Sequence, residues 1–261
     1  KGSEVIICAV TFPTIFNIIL QCGLVPVVVD AKIGTYGFDV KDVEKAITKE
    51  TKAIIAIHPL GNPVDMPKLM KLVKKYEKQG QKIWVIEDNC DGWGSSIGNK
   101  KVGSFGDISI TSFHAAHIVS MGCGGGVFTS NANLAKNVRM YRDWGRQADI
   151  NKSENKKHKT LPQDYNPRFI YKKIGYNFQI LDLQAAMGRV QLRKIYKIKK
   201  ARKKNFDYLY KHLSKYPLQL PYWHKGADIC WFAFPITFYG NRGKLLRHLE
   251  KNGIETRPMF S

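Results

Sequence analysis

The chain has 261 residues, 44% of them hydrophobic and 24% charged, with a formal net charge of +21. That length and composition exclude a disordered chain and give one large domain, or one and a half smaller ones, around a sizeable core. No apolar run reaches the length of a membrane span, and the lysines, spread along helical stretches such as 68–75, read as solvated faces rather than as a nucleic-acid surface.

In chain order, residues 5–10 predict a strand, 14–21 a helix and 26–30 a second strand. Residues 39–47 predict an amphipathic helix with Val40, Val43 and Ile47 on one side. A third strand at 53–57, a helix at 67–79 with Pro67 in its first turn, and a fourth strand at 82–87 continue the alternation. This rhythm, with β-branched strands, predicts an α/β fold around a mostly parallel sheet. Residues 107–113 and 126–130 predict two further strands, and 133–141 a helix. Residues 147–168 are polar, lysine-rich and punctuated by proline, which predicts a long loop. Residues 181–210 predict one long helix or two joined ones, and 231–238 open an α+β segment with a helix near 243–252.

Chemistry concentrates where predicted strands end. Asp88 closes the fourth strand, and a carboxylate at the carboxyl end of a parallel strand stands where ligands bind in such sheets; a turn or helix-cap aspartate is the competing reading. Ser112 closes the next strand, where a hydroxyl near free backbone N–H groups suits a dianion, although a serine at a strand end is also unremarkable. His117 follows five residues later; taken alone, a histidine is more often structural or exposed than catalytic. Gly122, Gly124, Gly125 and Gly126 do not make a dinucleotide motif, because a strand and not a helix follows them. The five cysteines, Cys8, Cys22, Cys90, Cys123 and Cys230, show no paired metal spacing and fit a reduced, cytoplasmic chain.

Three segments carry a resemblance. Glu87-Asp88-Asn89-Cys90-Asp91, then Ser112-Phe113-His114-Ala115-Ala116-His117, then Gly175-Tyr176-Asn177-Phe178-Gln179 stand at spacings that resemble the DegT/StrS-type nucleotide-sugar aminotransferases, and the resemblance extends over nearly the whole chain. It implies the type I fold of pyridoxal-phosphate (PLP) transferases, aspartate-aminotransferase-like. Residues 1–185 would form the large PLP-binding α/β domain, truncated at its N terminus, and 186–261 the connecting helix and part of a small α+β domain. It implies that Asp88 pairs with the pyridinium nitrogen, that Asp91 stands where the family has Gln or His near the ring hydroxyl, and that Ser112 bonds the cofactor phosphate. Asn177 would reach the phosphate held by the neighbouring subunit of a homodimer. Phe12, in Thr11-Phe12-Pro13-Thr14, is either a core residue or the aromatic that stacks on the pyridine ring; His114 lines the same pocket or packs beside it.

His117 occupies the place of the family's Schiff-base lysine, and an imidazole forms no stable Schiff base. The resemblance therefore points to the histidine-containing sugar 3-dehydrase branch, as do residues 58–65 and Arg142-Asp143-Trp144-Gly145-Arg146. In that branch glutamate converts PLP to pyridoxamine phosphate (PMP), and His117 would act as the base while a nucleotide-linked 4-keto-6-deoxyhexose loses its C3 hydroxyl, a step towards dideoxysugars of lipopolysaccharide. A basic surface would steer such an anionic substrate. Dehydrases with an iron–sulfur cluster carry one cysteine at the Cys90 position and more just after the segment ending at Arg146. Here Gln147-Ala148-Asp149-Ile150 follow and the next cysteine is Cys230, short of the four thiolates a cluster needs, so the resemblance implies the iron-free type. Cys123 stands where the family usually has Glu. An aminotransferase using another lysine, and a non-catalytic sugar-nucleotide- or PLP-binding relative, are the rival expectations.

Overall fold

The strands that build the centre of the molecule are rich in isoleucine and valine, which fit a pleated surface covered on both faces. The computed structural model describes residues 2–147, 162, 166 and 169–259. In chain order these form β1 (Glu4–Cys8), α1 (Thr14–Gln21), β2 (Val25–Val29), α2 (Val40–Ala46), β3 (Thr51–Ile57), a 3-10 turn (Pro59–Gly61), α3 (Met66–Glu77) and β4 (Trp84–Asp88). There follow β5 (Ser96–Ile97), β6 (Lys100–Lys101), β7 (Ile108–Ser112), β8 (Gly125–Phe128), α4 (Ala132–Arg142), α5 (Asp182–Arg193), α6 (Ile195–Leu213), β9 (Ala227–Asp228) and α7 (Arg242–Lys251).

Six strands join in the order β2-β1-β3-β4-β7-β8. Every pairing is parallel except β7 with β8, so the sheet is mostly parallel, as the sequence predicts. Parallel pairing brings the carboxyl ends of β1, β3, β4 and β7 to one edge, where clefts open in open α/β sheets. The core joins Ile6, Ile7, Ile54 and Val85 of the strands to Val40 and Val43 of α2 and to Met66, Leu69, Leu72 and Val73 of α3. Trimming one of these large side chains to alanine costs about 2–5 kcal/mol. Lys68, Lys71, Lys74 and Lys75 lie exposed on the far side of α3, which accounts for part of the charge as a solvated face. Asp65 caps that helix by accepting the Lys68 N–H, and Pro67 sits in its first turn.

Residues 182–213 are two helices that change over at Lys194, one of the two arrangements the sequence allows. Other details depart from the sequence reading. Among the described residues, 231–238 contain no strand; Trp231 instead stacks on Phe206 of α6 at 3.9 Å between ring centroids, and Thr237 makes an isolated bridge to Gln219. Aromatic packing against α6 therefore replaces strand pairing there. A small antiparallel sheet, β6-β5-β9, has no local signal in the sequence, because its strands are two residues long and Ser96 pairs across the chain with Asp228. Most of the predicted loop at 147–168 lies outside the described residues. Among those described, no helix is long and apolar enough to cross a membrane.

Candidate active site

β4 and β7 position the first two polar groups. Asp88 ends β4 in register with Ile57 on one side and Ile110 on the other, and its backbone carbonyl accepts the His58 N–H at 3.1 Å. Its side chain is buried, with Oδ1 accepting the Cys90 N–H at 3.0 Å. Burial first, then the charge of Asp88, its hydrogen bond and the charge of Asp91 push the Cys90 thiol far above its ordinary range, so this cysteine stays protonated. Ser112, half-buried at the end of β7, accepts the His114 N–H at 3.2 Å through Oγ, which leaves its own proton to donate. The His114 ring is exposed and accepts the Ala116 N–H at Nδ1, closing the turn that follows.

The loop between β7 and β8 is folded tightly. Phe113 N–H bonds the Gly124 carbonyl, Ala115 N–H that of Gly122, and Met121 N–H that of Phe113, while Ile118, Val119 and Met121 are buried. This fixes His117, whose Nδ1 lies 3.5 Å from Asp91 Oδ1; the two side chains are 19% and 13% exposed. The His117 ring also leans on Phe232, with centroids 5.6 Å apart and planes at 37°. The second oxygen of Asp91 accepts the Leu60 N–H at 3.2 Å, and the Leu60 carbonyl accepts the Phe232 N–H at 2.9 Å. Asp91, Leu60, Phe232 and His117 thus close a ring of contacts.

Leu60 takes part at a conformational cost. Its φ of 54° and ψ of 22° are left-handed, unfavourable by about 1–2 kcal/mol for a residue with a branched side chain. Gly61 follows at φ 91°, and a Cβ there would run into the carbonyl oxygen of Cys230. Arg202 of α6 secures the opposite side by donating to the carbonyls of Trp231 at 3.1 Å and Phe232 at 2.6 Å.

Beneath this ring lies a second histidine–carboxylate pair. His58 Nε2 is 3.2 Å from Glu87 Oε2 and both side chains are fully buried. His58 Nδ1 accepts the Val64 N–H at 3.3 Å, which assigns the ring proton to Nε2. Glu87 also accepts the N–H groups of Gly103, Phe105 and Gly106 at 2.8, 2.6 and 2.7 Å. Burial would raise the Glu87 carboxyl, but the His58 hydrogen bond and the N–H groups of Gly106 and Gly103 together hold it below its ordinary value.

Of the residues singled out in the sequence, Asp88, Asp91, Ser112 and His117 therefore gather at the ends of β4 and β7. Phe12, with an exposed ring, lies on the same edge of the sheet but beyond β1. Asn177 is exposed and its backbone bridges Asp143; among the described residues no hydrogen bond joins it to the other four. A groove of about 1080 Å³ beside β8 and α4, lined in part by Val127, Arg139, Phe178 and Gln184, includes none of them. Sequence reasoning missed Glu87, His58 as its partner, Leu60 and Phe232. The signal for the buried pair was a carboxylate inside the apolar run Val85-Ile86-Glu87, which can be buried only with partners. Among the described residues, no cluster of three or more His, Cys, Asp or Glu could hold a metal ion.

A model of the DegT/DnrJ/EryC1/StrS aminotransferase family matches residues 1–261. The lipopolysaccharide biosynthesis protein RfbH of Salmonella typhimurium is 38% identical over 274 residues, covering 100% of this chain and 62% of RfbH. The dTDP-4-dehydro-2,6-dideoxy-D-glucose 3-dehydratase of Saccharopolyspora spinosa is 37% identical over 272 residues, covering 99% of this chain and 58% of that enzyme. The solved E. coli GDP-4-keto-6-deoxy-D-mannose-3-dehydratase with bound hydrated PLP superposes with a TM-score of 0.86 at 27% identity, covering 100% of this chain and 67% of that one. The same dehydratase with a trapped PLP-glutamate geminal diamine gives a TM-score of 0.85 at 27% identity over 99% of this chain and 67% of that one. The chain thus spans about three-fifths of the length of the first two relatives.

Proposed function

We propose, since this chain belongs to the DegT/DnrJ/EryC1/StrS aminotransferase family, that it acts on a nucleotide-linked 4-keto-6-deoxyhexose and removes its C3 hydroxyl with the help of PLP and PMP. The observation that carries the reading is an imidazole, His117, held 3.5 Å from Asp91 in the position where the family resemblance implies a lysine. The similarity to a 3-dehydratase, and to dehydratase structures holding PLP and a PLP-glutamate adduct, supports it.

The side chains present suit such a cofactor. Asp88 offers a buried carboxylate to the pyridine nitrogen, and Ser112 an uncommitted hydroxyl proton to the phosphate. When bound, the pyridoxamine form supplies an amine for the C4 carbonyl and a ring that accepts electrons. Asp88 would keep the ring nitrogen protonated. His117 would accept the proton from the carbon that bears the amine, a transfer to which an imidazole is suited as a general base. Phe12 would cover the ring face, and Asn177 would reach the phosphate of the partner subunit in a homodimer that shares its sites. Glutamate supplies two electrons and the nitrogen. The sugar loses one oxygen, and glutamate leaves as 2-oxoglutarate and ammonia, so atoms and electrons balance.

The same proposal includes a cytoplasmic location and a division into a cofactor-binding part, 1–185, and a second part, 186–261. It also includes chemistry without an iron–sulfur cluster, since no cysteine follows Arg146 before Cys230 and Cys90 alone falls short of the four thiolates a cluster needs.

Borohydride reduction of the PLP-loaded protein, followed by mass spectrometry, tests the reading. We expect no covalent pyridoxyl adduct; one on a lysine would overturn dehydration in favour of amine transfer. His117→Asn is expected to retain cofactor absorbance and to lose C3 dehydration. Unchanged turnover would remove His117 from its role.

A further inference from the structure

We propose that Asp91 is the positioning residue for His117: its carboxylate holds the ring proton on Nδ1 by accepting from it, and so leaves Nε2 as the basic nitrogen. This rests on the reading of His117 as the base and says which of its nitrogens does the work.

Three observations carry it. First, His117 Nδ1 is buried and makes no hydrogen bond among the described residues, and the nearest carboxylate oxygen, Asp91 Oδ1, stands 3.5 Å away. A buried ring nitrogen left without a partner costs about 1–3 kcal/mol. A proton on Nδ1 would face the carboxylate from 3.5 Å, and closing that gap would remove the cost. The other tautomer would set the lone pair of Nδ1 against an anion.

Second, Asp91 cannot turn freely to another partner. Its Oδ2 is held by the N–H of Leu60, and Leu60 keeps a left-handed backbone between Asp91 and the Phe232 N–H. Backbone strain of this kind persists only where the surroundings over-determine it. One carboxylate oxygen is therefore bonded to Leu60, and the other stands 3.5 Å from His117 Nδ1. This differs from the contact that the family resemblance implies for Asp91, with the cofactor's ring hydroxyl.

Third, the Phe232 ring packs beside the imidazole, with centroids 5.6 Å apart, and its own backbone N–H joins the Leu60 carbonyl. The ring of contacts fixes both the plane of the imidazole and the carboxylate that reads its proton. The arrangement follows a general logic in which a carboxylate sets the tautomer of a catalytic histidine.

The experiment uses the whole chain labelled with ¹⁵N-histidine, at a pH where imidazoles are neutral. The His117 signals are assigned by their loss in His117→Asn. The expected spectrum shows His117 protonated at Nδ1, while His58, whose Nδ1 accepts the Val64 N–H, shows the opposite tautomer as an internal reference. Asp91→Asn presents a carboxamide donor to Nδ1 and is expected to move the His117 proton to Nε2. In the PLP-loaded protein the same variant should lower kcat roughly 100-fold or more while leaving KM and cofactor absorbance near wild type. Asp91→Glu should restore part of the Nδ1-protonated signal. A wild-type His117 protonated at Nε2 overturns the proposal without any variant, and so does an Asp91→Asn protein whose His117 tautomer is unchanged. If the tautomers behave as expected but His117→Asn turns over normally, the pairing stands and the catalytic reading falls.

Discussion

His58 and His117 both face a carboxylate, and the two pairs have opposite characters. His58 and Glu87 are fully buried and both ring nitrogens of His58 are engaged, one by Glu87 and one by Val64. Glu87 collects three further backbone N–H groups and thereby ties the 103–106 turn to β4. Nothing in that pair is left over for a ligand. His117 and Asp91 lie on the cleft edge of the sheet, partly exposed, and among the described residues no hydrogen bond engages His117 Nε2. The difference separates the two: His58 has both nitrogens bonded by protein, whereas His117 has a carboxylate 3.5 Å from one nitrogen and, among the described residues, nothing bonded to the other.

Substitutions sharpen this contrast. The largest effect is expected at Glu87→Ala, which strands His58 and three backbone donors and should cost about 3–5 kcal/mol in urea unfolding. A loss under about 1 kcal/mol would show the buried pair to be dispensable. Next comes Gly61→Ala, which forces a side chain into a left-handed position against the Cys230 carbonyl; about 1–3 kcal/mol should be lost, and the contact of Phe232 with His117 should loosen.

Acid should affect the first pair by a predictable route. Glu87 is held below its ordinary 4.5 in the folded chain, so its contribution is complete above that value and disappears as pH falls through the folded one. Unfolding midpoints measured from pH 7 down to pH 3 should therefore converge for wild type and Glu87→Gln at the acid end. A constant gap would contradict the sign. The smallest stability effect is expected at Asp91→Asn, under about 1 kcal/mol, because that pair is partly solvated. A variant that unfolds would move Asp91 into the scaffold class with Glu87.

Much of the sheet was legible because buried parallel strands must be apolar and β-branched. Runs such as Val5-Ile6-Ile7 and Ala53-Ile54-Ile55-Ala56-Ile57 leave little choice of structure. Asp88 and Ser112 could be read from their places at strand ends. The ring joining Asp91, Leu60, Phe232 and His117 could not, since it joins chain positions as far apart as 60 and 232 through backbone groups that carry no sequence signature. The left-handed Leu60 is likewise invisible, because leucine rarely adopts that conformation. Ala227 and Asp228 form β9 only because Ser96 and Ile97 present a free edge to them, a tertiary effect that no local pattern encodes.

The protonated thiol of Cys90 has a practical consequence. Alkylating reagents attack the thiolate, so a maleimide or iodoacetamide near neutral pH should modify exposed Cys22 and Cys123 well before Cys90. Dyes and cross-linkers can thus be attached to the native chain without first engineering away the sulfur beside Asp88.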